Sequence, residues 1–276
     1  RVGCKHSDKE REMISVELTA GLLRITLDRP EARNALTVEM RDQLVAALHR
    51  ARSDDMVRSV LITGSGGSFC SGMDLGASTV SQAGRPGFDP RTTSEALRVG
   101  VQTIVQQLWE LDKPTVAAVD GYAVGPGAHI ALACDLVLVQ PGSAFMWTFA
   151  KWGLVVDAGG AYLLPRLLGP ARAKELVLLG GKILGSQAVS EGLAIRCYEN
   201  SEQLAAEAEL LAAQLAIGPT RSLGLSKQLL NRSFETDLGT LLETEGHFQA
   251  LATASSDLVE GMAAFSEKRD PKFTGH

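Results

Sequence analysis

The sequence predicts an α/β fold whose last quarter is helical. Three observations carry this. Short apolar stretches alternate with longer amphipathic ones, the pattern of strands alternating with helices. Glycine-rich turns stand where several apolar stretches end; with 28 Gly against 10 Pro, tight turns and close backbone approaches are built in. Beyond about Gly218 the pattern is helical only. We read residues 13–217 as the α/β core, 218–276 as a C-terminal helical region and 1–12 as a charged N-terminal extension.

Each element has its own signal. Ile14-Ser15-Val16-Glu17-Leu18 and Leu23-Arg24-Ile25-Thr26-Leu27 alternate apolar with polar, as half-buried strands do, and Thr19-Ala20-Gly21 between them reads as a turn. Thr37 is placed to cap a helix running to Arg52, with Val38, Leu44, Val45 and Leu48 on its apolar face. Residues 59–63 form a buried strand ending in Gly64-Ser65-Gly66-Gly67. Residues 76–93, rich in Gly, Ser, Pro and Thr, read as a mobile loop. A helix over 94–111 stops before Pro114, and Thr115–Val119 is a strand. The turn from Gly121 to Gly127 feeds a short helix through Cys134. Leu136–Val139 and residues 144–147 are strands; from about Gly159 the chain is mainly helical, with 193–198 as a last strand.

Composition narrows the function classes. Lys and Arg number 27 against 32 Asp and Glu, a net charge of −5, which argues against a nucleic-acid partner, since that needs a basic face. A few placed cations can still hold an anionic small substrate. Mean hydropathy is +0.06 and no apolar run approaches the roughly 20 residues that span a bilayer, so no membrane partner is read. Cys4, Cys70, Cys134 and Cys197 are far apart and make no metal or disulfide pattern, which fits a reduced, cytoplasmic protein. Residues 1–12 carry no apolar segment and are no secretory signal; Met13 is either the start of the chain or follows a mobile extension.

No Gly-x-Ser-x-Gly elbow, Walker A loop or metal-ligand spacing is present. Two strand–turn–helix junctions stand out, Ser68-Phe69-Cys70-Ser71-Gly72-Met73-Asp74 and Asp120-Gly121-Tyr122-Ala123-Val124-Gly125-Pro126-Gly127. Read alone, both are ordinary tight turns. Together they could aim backbone N–H groups at one carbonyl oxygen. Asp157, ahead of Gly159-Gly160, reads on its own as a helix cap.

The order of motifs resembles the crotonase, or enoyl-CoA hydratase/isomerase, superfamily. The matching pieces are Asp28-Arg29-Pro30-Glu31-Ala32-Arg33-Asn34-Ala35-Leu36, Phe69-Cys70-Ser71-Gly72-Met73-Asp74-Leu75 and Lys113-Pro114-Thr115-Val116-Ala117-Ala118-Val119-Asp120-Gly121-Tyr122. The helix from Gly125 to Asp135, Gly153-Leu154-Val155-Val156-Asp157-Ala158-Gly159-Gly160, Leu164-Pro165-Arg166 and the tail from Glu267 to Gly275 follow in order. The later half is most similar to the phenylacetate-pathway isomerase branch. The resemblance implies a β-β-α spiral core, a C-terminal helical region used for trimerisation, and a homotrimer or dimer of trimers. It also implies an acyl-CoA thioester substrate and an enolate held by two backbone N–H groups. No cofactor is implied, since coenzyme A enters as part of the substrate, and no metal.

Carried onto this sequence, the first N–H falls on Met73 and the second on Pro126, which has none. Either Gly127 N–H substitutes, or thioester activation is weakened. The two hydratase glutamates fall on His129 and Phe149, so paired-carboxylate hydration is disfavoured. His129 is a candidate base or a packed histidine. Asp157 matches the isomerase carboxylate and is the favoured acid/base. Substrate contacts fall on Arg33 and Ala35, on Cys70 and Asp74 beside Met73, and on Met146, Phe149 and Trp152 around the acyl group. Lys268, Lys272 and Phe273 in the tail would cover the adenine, from this or a neighbouring subunit. The alternatives are an enoyl-CoA hydratase of fatty-acid β-oxidation with His129 recruited, and a non-catalytic acyl-CoA binder.

Overall fold

The computed structural model describes residues 13–76 and 79–276, so the N-terminal extension at 1–12 lies outside the described residues. The chain opens with a hairpin, β1 (Ile14–Thr19) and β2 (Leu22–Leu27), paired from Ile14 opposite Leu27 to Thr19 opposite Leu22. Ala20 and Gly21 both sit at positive φ, as a two-residue hairpin turn requires. Helix α1 (Val38–Ser53) starts at Thr37, whose Oγ1 accepts the Met40 N–H at 3.2 Å. Its buried face presents Met40, Leu44 and Leu48 to the sheet. After β3 (Ser59–Gly64), the region read as a loop already contains helix: α2 (Pro90–Val99) begins at Asp89, whose side chain accepts the Arg91 N–H. The single helix expected over 94–111 is two, α2 and α3 (Val101–Glu110), broken at Gly100. There the Arg41 side chain occupies the place of a Cβ, 2.4 Å from where that atom would stand.

β4 (Thr115–Val119) leads into β5 (Tyr122–Val124) and α4 (Pro126–Leu132), then β6 (Leu136–Val139) and β7 (Ala144–Met146). α5 (Gly160–Leu168), α6 (Pro170–Leu179), β8 (Lys182–Leu184), α7 (Gly185–Ala188), β9 (Arg196–Cys197) and α8 (Ser201–Ala216) follow. The chain closes with α9 (Thr220–Arg232), α10 (Leu238–Thr253) and α11 (Ser256–Glu267). β5 and β8 were not legible as strands, because three residues beside glycines show no period; the strand expected over 193–198 shrinks to β9.

Six strands form one sheet in the order β1-β2-β3-β4-β6-β9, parallel except for the hairpin. The second sheet is β5-β7-β8. Alternate residues of the central strands face opposite layers. Val60, Ile62, Ala117 and Val119 join α1, α3 and α4 in the main core, while Leu61, Val116, Ala118 and Leu138 pack on Leu204, Ala208 and Ala212 of α8. Burial on both faces explains why β3 and β4 read as unbroken apolar runs.

α9 is pinned to this core by Lys227. Its buried ammonium lies 2.9 Å from Asp135 and donates to Leu108 O at 2.9 Å, while Asp135 accepts the Thr115 N–H and hydroxyl. Beyond α9 the apolar surface is uncovered. α10 buries no residue, and Leu230, Phe234, Leu238, Leu242, Met262 and Phe265 are all exposed. No helix among the described residues is long and apolar enough to cross a membrane. Asp135 keeps contact with solvent, so Lys227→Met costs chiefly the buried ammonium's charge-assisted hydrogen bonds and is expected to destabilise by about 2 kcal/mol in urea unfolding.

Candidate active site

The two junctions of the sequence lie side by side. Cys70 N–H donates to Tyr122 O at 2.8 Å and Val124 N–H to Cys70 O at 2.9 Å, so the end of the first junction pairs with β5. A second bridge holds the first junction from its other side, with Leu36 N–H on Gly72 O at 2.8 Å and Asp74 N–H on Leu36 O at 2.9 Å. That pairing spends the carbonyl of Gly72 and the N–H of Asp74 and turns the N–H of Met73 away from Leu36. A Cβ at Gly72 would stand 3.0 Å from Val124 O and 3.7 Å from Pro126 Cδ, which shows how closely the turns approach.

Both junctions open on one cavity of about 240 Å³. Met73, Gly125, Pro126, Phe149, Trp152 and Asp157 line it, and α1, α2 and α3 contribute Val38, Arg41, Thr93, Leu97 and Val101. Of the expected site residues, the fold thus gathers Met73, Pro126, Phe149, Trp152 and Asp157. The loop expected over 76–93 hides the first turn of α2 with Thr93, and the single helix expected over 94–111 hides the break that turns Ala96 and Leu97 to the cavity; the Asp89-Pro90 pair, a cap followed by proline at the first helical position, is the available signal for the true start.

The second junction offers little to an oxyanion. Gly125, at φ +49 in a conformation that favours glycine, uses its N–H on Met146 O at 2.8 Å. Pro126, the first residue of α4, has no N–H. Gly127 is outside the cavity lining; a Cβ there would run into Cys70 at 2.4–2.9 Å. Met73, which lines the cavity, therefore keeps a backbone N–H that no main-chain group takes among the described residues, as does Gly72 beside it.

Asp157 is the one carboxylate among the described residues lining the cavity. It is not a cap. The helix α5 has Gly159 at its N-cap position with no side-chain cap, and the Gly160 N–H goes to the carbonyl of Asp157 at 2.9 Å. Its Oδ1 is buried without a partner. Burial raises its pKa to about 6, against a smaller lowering by its own backbone N–H.

Several expected contacts fall elsewhere. His129 is fully buried and outside the lining; burial lowers its pKa to about 4, so it is neutral at pH 7 and does not face the cavity as a base. Cys70 is a core residue whose thiol burial pushes up to about 12. Met146 lies outside the lining, its carbonyl holding Gly125. Asp74 pairs with Arg29 at 2.7 Å. Arg33 and Ala35 sit on the neighbouring turn, the Arg33 guanidinium 5.4 Å from the Tyr122 ring centre. Lys268, Lys272 and Phe273 lie on the tail, where Phe273 O accepts from Arg58 and Lys272 N–H donates to Glu260; Phe273 lines a separate groove between α9, α10 and α11. One chain does not bring these three to the cavity.

The family model of enoyl-CoA hydratases/isomerases matches residues 17–276. A 1,2-epoxyphenylacetyl-CoA isomerase of Escherichia coli (strain K12) is 40% identical over 264 residues, covering 96% of this chain and 99% of that protein. A protein named probable enoyl-CoA hydratase from Rhodobacter capsulatus is 39% identical over 95% of this chain and 98% of its own length. The crystal structure of an enoyl-CoA hydratase/isomerase from Cupriavidus metallidurans CH34 superposes with a TM-score of 0.87 at 31% identity, over 96% of this chain and 97% of that one.

The raised pKa of Asp157 has a stability consequence. Unfolded, the carboxyl titrates near 3.9. Stability stored in the protonated folded form is full below that value and is lost as pH rises through about 6. The advantage of Asp157→Asn over wild type in urea unfolding is expected to grow by about 1 kcal/mol between pH 5 and pH 8.

Proposed function

Because the chain belongs to the enoyl-CoA hydratase/isomerase family, we propose that it isomerises the acyl group of an acyl-CoA thioester, with Asp157 as its single acid/base. The observation that carries this is the cavity itself: mostly apolar walls, Asp157 as the one carboxylate lining it among the described residues, and a Met73 N–H that no main-chain group takes. The thioester oxygen accepts the Met73 N–H, and the carboxylate of Asp157 takes a proton from carbon. Charge moves onto the thioester oxygen as an enolate, and the same carboxyl returns the proton to a second carbon. One group suffices, because the proton leaves and returns on one face. Hydration would need a second carboxylate to handle water. At the matching positions stand buried His129 and Phe149, whose ring forms part of a dry wall. The reading needs no cofactor beyond the CoA that the substrate carries.

The uncovered apolar faces of α9, α10 and α11 support assembly through the C-terminal helices, as a homotrimer or dimer of trimers. Assembly would also let the tail with Lys268, Lys272 and Phe273 serve a neighbouring subunit's CoA. Cys70, Cys134 and Cys197 are free among the described residues, which supports a cytoplasmic, reducing location.

Wild type incubated with 2-enoyl-, 3-enoyl- and epoxy-ring acyl-CoAs is expected to give a product of unchanged mass and new retention time. A gain of one water in the product would favour the hydratase reading, and binding without turnover the non-catalytic one. Asp157→Asn abolishes turnover on this reading. Since the carboxylate must be ionised to take the first proton, kcat/KM is expected to fall as pH drops through about 6. Pro126→Gly restores a second donor and raises kcat, by at most about 10²–10³, the value of one such donor. In sedimentation, wild type is expected at a multiple of three of the 29.3 kDa chain, and Leu242→Glu at a lower mass.

A further inference from the structure

One buried titratable group has no part in the chemistry above. His129 is fully buried on α4, its ring parallel to Phe149 with centres 5.8 Å apart. Trp147 Nε1 lies 3.1 Å from its Nε2. An indole N–H can only donate, so Nε2 is the acceptor, and a neutral imidazole then carries its proton on Nδ1. Nδ1 is buried with no hydrogen-bond partner, and besides the indole the Asp157 main chain acts on the ring, holding its pKa somewhat above where burial alone would put it.

The segment facing the ring is close and strained. A Cβ at Gly160 would stand 2.2 Å from His129 Cε1, so the start of α5 closes on the imidazole only because that residue is glycine. Ala158, beside Asp157, sits at φ +46, a left-handed conformation that a non-glycine residue keeps only when its surroundings over-determine it. The Asp157 carbonyl has one lone pair on the Gly160 N–H and a second open to another donor.

We propose that His129 is a positioning residue for Asp157: its Nδ1–H, set by the Trp147 indole, fixes the Asp157 main chain and so where the carboxyl enters the cavity. The inference rests on Asp157 being the acid/base. The imidazole takes no proton from substrate. Its contact tightens to hydrogen-bond geometry when the thioester fills the cavity, as catalytic hydrogen bonds often do.

Two-bond ¹H–¹⁵N correlation on ¹⁵N-labelled wild type at pH 7 is expected to show His129 as the Nδ1–H tautomer. An imidazolium or an Nε2–H form overturns the proposal. Kinetics then separate positioning from packing. His129→Phe keeps a flat ring against Phe149 and removes both nitrogens, whereas His129→Asn keeps an amide donor near the place of Nδ1. Positioning predicts that His129→Phe loses kcat roughly tenfold or more, with KM within about twofold, while His129→Asn keeps most of it. The reverse ranking, or equal activities, overturns it. Full turnover by Asp157→Asn would sink the Asp157 reading and this inference with it. Inactive Asp157→Asn beside fully active His129→Phe would sink this inference alone.

Discussion

The site depends on two hydrogen bonds between strangers in sequence, the pair that joins Cys70 to Tyr122 and Val124. They cross the boundary between the two sheets, since Cys70 follows the large sheet's β3 and Val124 ends the small sheet's β5. The two turns that open on the cavity are held together by that join. It sets Met73 and Pro126 on facing turns, and it places α4 so that its first turn looks into the acyl space. Buried backbone groups must be paired, and here the obligation is met across the boundary rather than within a sheet.

Burial acts in opposite directions on the two titratable groups behind this join. It raises the carboxyl of Asp157 and lowers the imidazole of His129, because in each case it disfavours the charged form. Both are therefore neutral over a shared range of mildly acidic pH, and above it only the carboxyl changes charge. For the isomerisation proposed above, the carboxyl is thus the one of the two that gains and loses a proton near neutral pH.

Local signals made much of the fold legible. Thr37 announced α1 through chemistry confined to one turn, and β3 and β4 announced themselves as apolar runs because both faces are covered. The site was legible in a different way. Asp157 reads locally as a cap, and only its place in a family-wide order of motifs makes it a candidate acid/base; the structure has Gly159 in the capping position. Met146 and Cys70 were misplaced because a motif fixes sequence order, not which way a side chain turns along a strand. Their main chains build the site while their side chains lie outside the cavity lining. Lys268, Lys272 and Phe273 sit on a tail that its own chain places away from the cavity, a tertiary placement with no local signal in the sequence.

The break at Gly100 divides one stretch of helix into two with different obligations. α3 buries Val101, Ile104, Val105 and Leu108 in the core, whereas α2 buries nothing yet lends Thr93, Ala96 and Leu97 to the cavity wall. Apart from Leu97, which also packs on the core, α2 residues can therefore change the cavity wall at little cost to the core. The stretch of cavity wall that α2 supplies is thus the one with least of its own surface in the core, and a change at its exposed positions leaves the packing under α3 in place.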